Sequence, residues 1–354
     1  MRVLVVNAGS SSLKLRLLGD ADEPLGSKDL EPGDDVEAAL EELGEADAVG
    51  HRVVHGGSRF IDPVVIDDAV VAELEELTAL APLHQPPALE AITALRRSVP
   101  GLPSVACFDT AFHAGLPDAA ATYALPRSWR ERWPLRRYGF HGLSHAWVAR
   151  RAADLLGGPE RIVSCHLGAG ASLAAILDGR SVDTTMGFTP LAGLVMATRP
   201  GDVDPGLLLW LLERPELSEV EVAEALVHES GLKGLAGTGD MRDVLAAAER
   251  REPDAVLAVD VYVHRLRAAI AAMAASLGGV DALVFTGRVG ERAPEVRSRA
   301  AAGLGFLGIA LDHAANAAAT GDAAIGAPGT VARTLVIESR EDLEIARGVR
   351  AALA

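Results

Sequence analysis

Lysine is almost missing from this sequence: among 354 residues only Lys14, Lys28 and Lys233 carry an ammonium, so nearly all positive charge rests on arginine. Positive charge of any kind is in deficit, with 33 Lys and Arg against 49 Asp and Glu, a net charge of −16. A surface this acidic repels nucleic acid phosphates and anionic lipid, which excludes broad contact with either. An anionic small substrate must then find a local pocket of arginine or lysine. Cysteine is scarce as well. Cys107 and Cys165 stand far apart inside apolar runs, without metal-ligand spacing. That excludes a disulfide-stapled scaffold and reads as two buried thiols in a reducing cytoplasm. No uninterrupted apolar run reaches the roughly 18 residues of a membrane span, and Val3 to Val6 is too short for the core of an export signal.

What is present is ordinary for a globular protein, with 49% hydrophobic and 23% charged residues. At roughly 100 to 200 residues per domain, the length points to two domains. The β-branched run Arg2 to Val6 enters a small-residue turn, Asn7 to Ser12, and alternation resumes at Leu13, Leu15 and Leu17. That pattern predicts two strands joined by a tight connection. A short helix is expected around Val36 to Leu43, and a helical stripe at Val70, Val71, Leu74, Leu77 and Leu80 stops at Pro82. A strand at Pro103 to Phe108 ends on Asp109, and a helix is expected from Ala146 to Leu156. Residues Arg161 to Leu167 repeat the opening theme: a strand, the turn Gly168-Ala169-Gly170-Ala171, a second strand through Ile176 and a third after Asp178-Gly179. This is a weak internal duplication. A long helix follows near Asp254 to Leu277, then a strand at Ala282 to Phe285 that enters a third glycine-bearing turn, Gly287 to Arg292.

Three strand-to-turn junctions rich in Gly, Ser or Ala suggest backbone amides cradling phosphate oxygens, because only small residues let the main chain approach an anion closely. None matches the Walker pattern or the dinucleotide fingerprint. The opening junction is the most telling, since Asn7, Ser10, Ser12 and Lys14 set metal-shell and phosphate-binding groups side by side.

The segments VLVVNAGSSSLKLRLL, GHRVVHGG, APLHQPP, FDTAFH, RRYGFHGLSH, CHLGAGASL, DTTMGFTPLAGLVMATRPGDVDPG and FTGRVGER, in this order, resemble acetate kinases, members of the acetate and sugar kinase/actin superfamily. The likeness runs along nearly the whole chain. It implies an α/β fold of two actin-like, ribonuclease H-like domains with a duplicated βββαβαβα core, residues 1–113 plus 343–354 and residues 114–342, with the active site in a cleft between them. It implies a cytoplasmic homodimer that transfers a phosphoryl group from ATP to acetate. In this casting Arg52 and Arg199 bind the carboxylate and the phosphoryl group in flight, with His141 as a third donor; arginine's planar fork suits such oxygens. Asp109 matches the family's catalytic aspartate, and Asn7 with Glu341 its magnesium shell, which manganese can also fill. Val54, Leu83, Phe140 and Pro190 match the pocket for the substrate methyl. His84 and His166 match histidines near the phosphates. The glycine turns supply Gly168, Gly170, Gly287, Arg288, Gly290 and Arg292 on the nucleotide side. An ionised carboxylate needs no general base, so Asp109 is expected to position rather than to abstract a proton.

The chain departs from the family in places. Ala169 stands where Asn is usual, Glu338-Ser339-Arg340 where Pro-Thr-Asn is usual, and Arg288 and Arg292 where the adenosine turn has Gly and Asn. The two arginines either obstruct the purine and favour a compact polyanion such as pyrophosphate, or swing aside and stack on adenine. The alternatives to ATP-dependent acetate kinase are thus a kinase with another donor, a propionate or butyrate kinase, or a silent phosphate-compound sensor.

Overall fold

The computed structural model of the protein describes residues 1–8, 13–31, 34–81, 85–158 and 160–354. The chain divides into two units: Met1–Ala114 with Phe140–Trp147 and Arg340–Ala354, and Gly115–Gly139 with Val148–Ser339.

In the first unit the apolar run becomes β1 (Val3–Ala8), followed by β2 (Leu13–Leu18), β3 (Pro24–Leu30), β4 (Ala48–Val53), β5 (Val64–Val65) and β6 (Ser104–Phe108). They form one sheet in the order β3-β2-β1-β4-β6-β5. The hairpin strands β1, β2 and β3 pair antiparallel, whereas β4 lies parallel to β1 and to β6. Parallel strands are buried on both faces, and the sequence complies. On one face Val3, Val5, Val105 and Cys107 pack against Ile345, Ala346 and Val349 of the C-terminal helix Glu341–Ala352. Gly50 permits that approach, since a Cβ there would lie 2.6 Å from Ile345 Cγ2. On the other face Leu4, Val6, Leu15 and Val49 meet Leu95 of the helix Gln85–Ser98.

The helix Val36–Leu43 forms where expected, because the Asp35 carboxylate accepts the amides of Glu37 and Ala38 and caps its first turn. The stripe from Val70 is helical only over Asp68–Glu76 and tightens to a 3₁₀ turn at Leu77–Leu80. The helix expected from Ala146 begins earlier, at Gly142. The Gly142 amide donates to the Asp109 carbonyl at 2.8 Å, and a Cβ at Gly142 would fall 2.1 Å from that oxygen. The glycine that looked like a loop residue is therefore a close-approach residue.

The second unit carries β7 (Arg161–Leu167), β8 (Ala171–Leu177), β9 (Arg180–Thr184), β10 (Ala282–Thr286), β11 (Ala323–Ala324) and β12 (Arg333–Val336). Their order, β11-β12-β10-β7-β8-β9, repeats that of the first sheet strand for strand, with the same antiparallel hairpins and the same parallel centre. The duplication that was faint in sequence is complete in topology, and the fold is actin-like α/β. The long helix Pro253–Ser276 packs through Val259, Val263, Leu266 and Ile270, all buried. Among the described residues no helix is long and apolar enough to cross a membrane.

His51, His55 and His113 are among the buried histidines of the first unit. Burial pushes His51 down to about 3 and His55 and His113 down to about 4, from an ordinary 6.5. Neither ring nitrogen of His51 has a hydrogen-bond partner among the described residues. Each ring is held neutral in the fold, while the unfolded chain takes up protons once the pH drops below 6.5. Stability is therefore expected to be level above about pH 7 and to fall from pH 6.5 towards 5, before carboxylates titrate. Urea midpoints measured from pH 5 to 8 check this; a flat profile across that window would contradict it.

Candidate active site

At the ends of β4 and β6 the first unit brings charged groups together. Arg52, near the end of β4, faces Asp109, which stands just past the end of β6. The contact is a fork: Nε donates to Oδ1 at 3.1 Å and Nη2 to Oδ2 at 2.6 Å. Nη1 donates to Asn7 Oδ1 at 3.2 Å and lies 3.9 Å from Glu341 Oε2. Burial alone would lower the Arg52 pKa, but the charges of Asp109 and Glu341 more than offset it, so the guanidinium is held well above its ordinary value. Both Asp109 oxygens are committed to this fork, and its backbone is pinned from both sides by its amide donating to the Val53 carbonyl and its carbonyl accepting from Gly142. Four sequence-predicted residues, Asn7, Arg52, Asp109 and Glu341, therefore form one cluster. Lys14 sits across from Asn7 in the β1–β2 register.

His141 stands beside this framework at φ 55°, the left-handed region that side chains other than glycine adopt at a cost. Its predecessor Phe140 is buried, with the edge of His55 on its ring at a centroid distance of 5.5 Å and its carbonyl 3.1 Å from His113 Nε2. That nitrogen must carry the proton to face a carbonyl. Val54 is buried in the same unit. Ser10, Ser12, Leu83 and His84 lie outside the described residues.

The cluster also bears on metal binding. Asn7 Oδ1 and the Glu341 carboxylate are hard oxygen donors that both face Nη1 of Arg52, and among the described residues no group of three or more His, Cys, Asp or Glu could hold a metal. A two-donor set suits magnesium, which keeps most of its waters and arrives with phosphates, and does not suit a metal caged by protein alone.

In the second unit Arg199 is largely buried and its Nη1 donates to the Pro190 carbonyl at 2.7 Å. Burial without a neighbouring carboxylate lowers its pKa to about 10. Elsewhere in the unit a cavity of about 370 Å³ opens, bordered by Gly168, Ala169, Arg288 and Arg292. A Cβ on Gly168 would lie 3.6 Å from His166 Nε2. Gly170 closes the turn, its carbonyl accepting from Gly168 at 2.9 Å.

Two sequence expectations change here. The segment Gly287 to Arg292 is a short helix and not a turn. Gly287 and Gly290 do not border the cavity; they let this helix pack on β7, where a Cβ at Gly287 would lie 2.8 Å from the Leu167 carbonyl. Arg288 and Arg292 both border the cavity, one helical turn apart. The helix is anchored from behind by Arg297, which is buried and donates to the carbonyls of Gly290 (2.7 Å), Glu291 (2.8 Å) and Asn316 (2.7 Å).

The sequence reading missed Asp240, Met241 and Arg242, which complete the wall with Leu232 and Tyr262. The side chain and the backbone amide of Arg242 both donate to the Asp240 carboxylate and hold it at about 2. The signal was legible as Gly239-Asp240 ahead of a helix, an N-cap that could have been read as a loop poised over a pocket.

A duplicated α/β architecture whose arginines gather where the central strands end is built to hold anions, and it defines a phosphotransferase of the actin-like kind. The chain belongs to the acetokinase family, whose model matches residues 34–347. It is 46% identical to an acetate kinase of Clavibacter michiganensis subsp. michiganensis (strain NCPPB 382) over 99% of each chain. It is similar to the crystal structure of Porphyromonas gingivalis acetate kinase, with a TM-score of 0.91 and 36% identity over 100% of both chains. A propionate kinase from Francisella tularensis subsp. tularensis SCHU S4 gives a TM-score of 0.91 and 34% identity over 98% of each.

The two arginines differ in what they leave behind. Arg52→Ala removes the guanidinium fork from the buried Asp109 carboxylate and is expected to cost about 3 kcal/mol of stability. Arg199→Ala removes a buried cation without a carboxylate partner and is expected to change stability by less than about 1 kcal/mol. Urea denaturation of both variants reads the contrast; equal losses would refute it.

Proposed function

We propose that the chain is a cytoplasmic acetate kinase that transfers the γ-phosphoryl group of ATP to acetate, reversibly, giving acetyl phosphate and ADP. The observation that carries this reading is the Arg52–Asp109 fork with Asn7 and Glu341 at its flanks, in a chain of the acetokinase family. Arg52 holds the acceptor carboxylate, and Asp109 fixes the guanidinium's plane. Val54 and Phe140 offer the apolar surface for the methyl group. Arg199 and His141 donate to the equatorial oxygens of the transferring phosphoryl group, whose charge is the main demand of this chemistry. A carboxylate oxygen of acetate attacks the γ-phosphorus, the bond to the bridging oxygen breaks, and its electron pair leaves with ADP. No proton moves, so Asp109 acts as an anchor and not as a base. Asn7 and Glu341 are the residues that would hold magnesium, with manganese as substitute. When bound, the ion screens the donor's phosphate oxygens.

ATP as donor is supported by the cavity bordered by Arg288 and Arg292, whose wall includes the apolar Leu232, Met241 and Val289. Pyrophosphate has no use for such a surface, whereas a purine nucleoside does. A hydroxamate assay across acetate, propionate and butyrate, each with ATP and with pyrophosphate, is expected to show acetate with ATP preferred by roughly tenfold or more. In the same assay Arg52→Ala and Arg199→Ala are each expected to lose roughly a hundredfold in turnover, the usual cost of one preorganised donor. Pyrophosphate outperforming ATP, or near-normal rates in either variant, would overturn the assignment. The double change Arg288→Gly with Arg292→Asn separates stacking from obstruction through its effect on KM for ATP.

The homodimer is proposed on the helix Pro205–Leu212, an apolar segment with no buried residue, in which Leu209 is 65% and Trp210 53% exposed. Exposed apolar faces of this kind mark subunit contacts. Sedimentation of the wild type is expected to give a dimer and of Leu209→Glu a monomer; a monomeric wild type would remove the proposal.

A further inference from the structure

Arg199 differs from Arg52 in having no carboxylate fork to aim it: its Nη1 holds only the Pro190 carbonyl, and the rest of its direction comes from the backbone that carries it. That backbone, Met196 to Arg199, is tied down on two sides within the second unit. On one side the Ala197 amide donates to the carbonyl of Ala169, a residue of the donor cavity, at 3.0 Å. On the other side it pairs like a strand with the segment 230–233: Ser230 N–H to the Thr198 carbonyl at 3.0 Å, Leu232 N–H to Met196 at 2.9 Å and Lys233 N–H to Ala197 at 2.9 Å. The two segments approach so closely that a Cβ on Gly231, which sits at φ +62°, would lie 2.3 Å from the Met196 carbonyl oxygen.

Immediately before this contact runs a π-helical turn, Ala225–Glu229. Such turns are rare, collect at functional sites, and displace carbonyls from the ordinary helical ladder. Hydroxyls serve two of those carbonyls here. Ser230 Oγ donates to Ala225 at 2.7 Å, and Thr198 Oγ1 reaches across to donate to Val227 at 2.8 Å. The residue next to Arg199 in sequence is therefore bolted by its side chain to the widened turn.

We infer that Thr198 is a positioning residue for phosphoryl transfer: its hydroxyl, seated on the Val227 carbonyl, fixes the loop from which Arg199 is aimed. This rests on the reading of Arg199 as the stabiliser of the phosphoryl group. The π-turn is the device that presents a spare carbonyl to the loop, and Gly231 is what lets the loop lie close enough to use it. The same segment contributes Leu232 to the donor cavity, so the aim of Arg199 and the wall of that cavity share one scaffold.

The test compares Thr198→Val, which keeps the shape and removes the hydroxyl, with Thr198→Ser, which restores it. Thr198→Val is expected to lower kcat by roughly 10- to 100-fold, the scale of a misplacement of about 1 Å, with KM for ATP and acetate within about threefold of wild type. Thr198→Ser is expected to stay within about threefold of wild type in kcat. Introduced into Arg199→Ala, the valine change is expected to add no further loss, because it acts through a side chain already gone. A normal kcat in Thr198→Val overturns the inference, as does an equal loss in the Arg199→Ala background or a serine variant as impaired as valine. Should the valine variant not fold, Ser230→Ala takes its place; it strips the companion hydroxyl from the π-turn and must lower kcat selectively if the inference holds. If Arg199→Ala itself keeps its turnover, the reading of Arg199 falls; if it loses turnover while Thr198→Val does not, only the positioning role falls.

Discussion

The forked contact between Arg52 and Asp109 is the constraint on which the first unit turns. A guanidinium and a carboxylate taken largely out of water cost more than they return unless the geometry is nearly ideal and the spare donors find partners. Everything around them meets that demand. Parallel pairing of β4 with β6 sets Arg52 and Asp109 at neighbouring strand ends. The Val53 carbonyl and the Gly142 amide hold the Asp109 backbone, and Asn7 takes the donor that Asp109 leaves over. The apolar packing of Ile345 and Val349 beneath the sheet delivers Glu341 to the same place at the start of its helix.

The second unit solves a different problem with the same frame. Arg199 and Arg297 carry no carboxylate fork, unlike Arg161 on Asp281 and Arg242 on Asp240. Arg199 is held through a carbonyl and its loop, and Arg297 spends its guanidinium entirely on carbonyls, three of them within 2.8 Å. Cations without carboxylate partners keep their field available to an incoming polyanion, which matters in a chain with net charge −16. The Arg52 cation is thus balanced within its own cluster, whereas Arg199 is not.

Much of this was legible in the sequence, for reasons that can be named. Apolar runs at Val3 to Val6, Ile162 to Cys165 and Ala282 to Phe285 are buried strand segments, and such runs have few other uses. Asp35 marked a helix start through ordinary capping chemistry. What stayed illegible depends on partners far away in the chain. Gly142 is needed because of the Asp109 carbonyl, Gly287 because of the Leu167 carbonyl, and neither neighbour is visible from local pattern. The residues Asp240 to Arg242 were missed because a capped helix start looks the same whether or not a cavity lies in front of it. That Arg288 and Arg292 border one cavity depends on the short helix that carries them, which the glycine pattern does not announce.

The identical strand order of the two sheets makes the ends of β4 and β10 the same address in two copies of one architecture. At that address one copy carries Arg52, a single side chain that closes on a carboxylate. The other carries the Thr286–Gly287 junction, whose glycine lets a helix start at once and carry arginines one turn apart. One copy became a clasp and its twin a doorway, and the residue that separates the two outcomes is a glycine at a left-handed angle. One backbone port, duplicated in a single chain, ends on a guanidinium contact in one copy and launches a helix in the other.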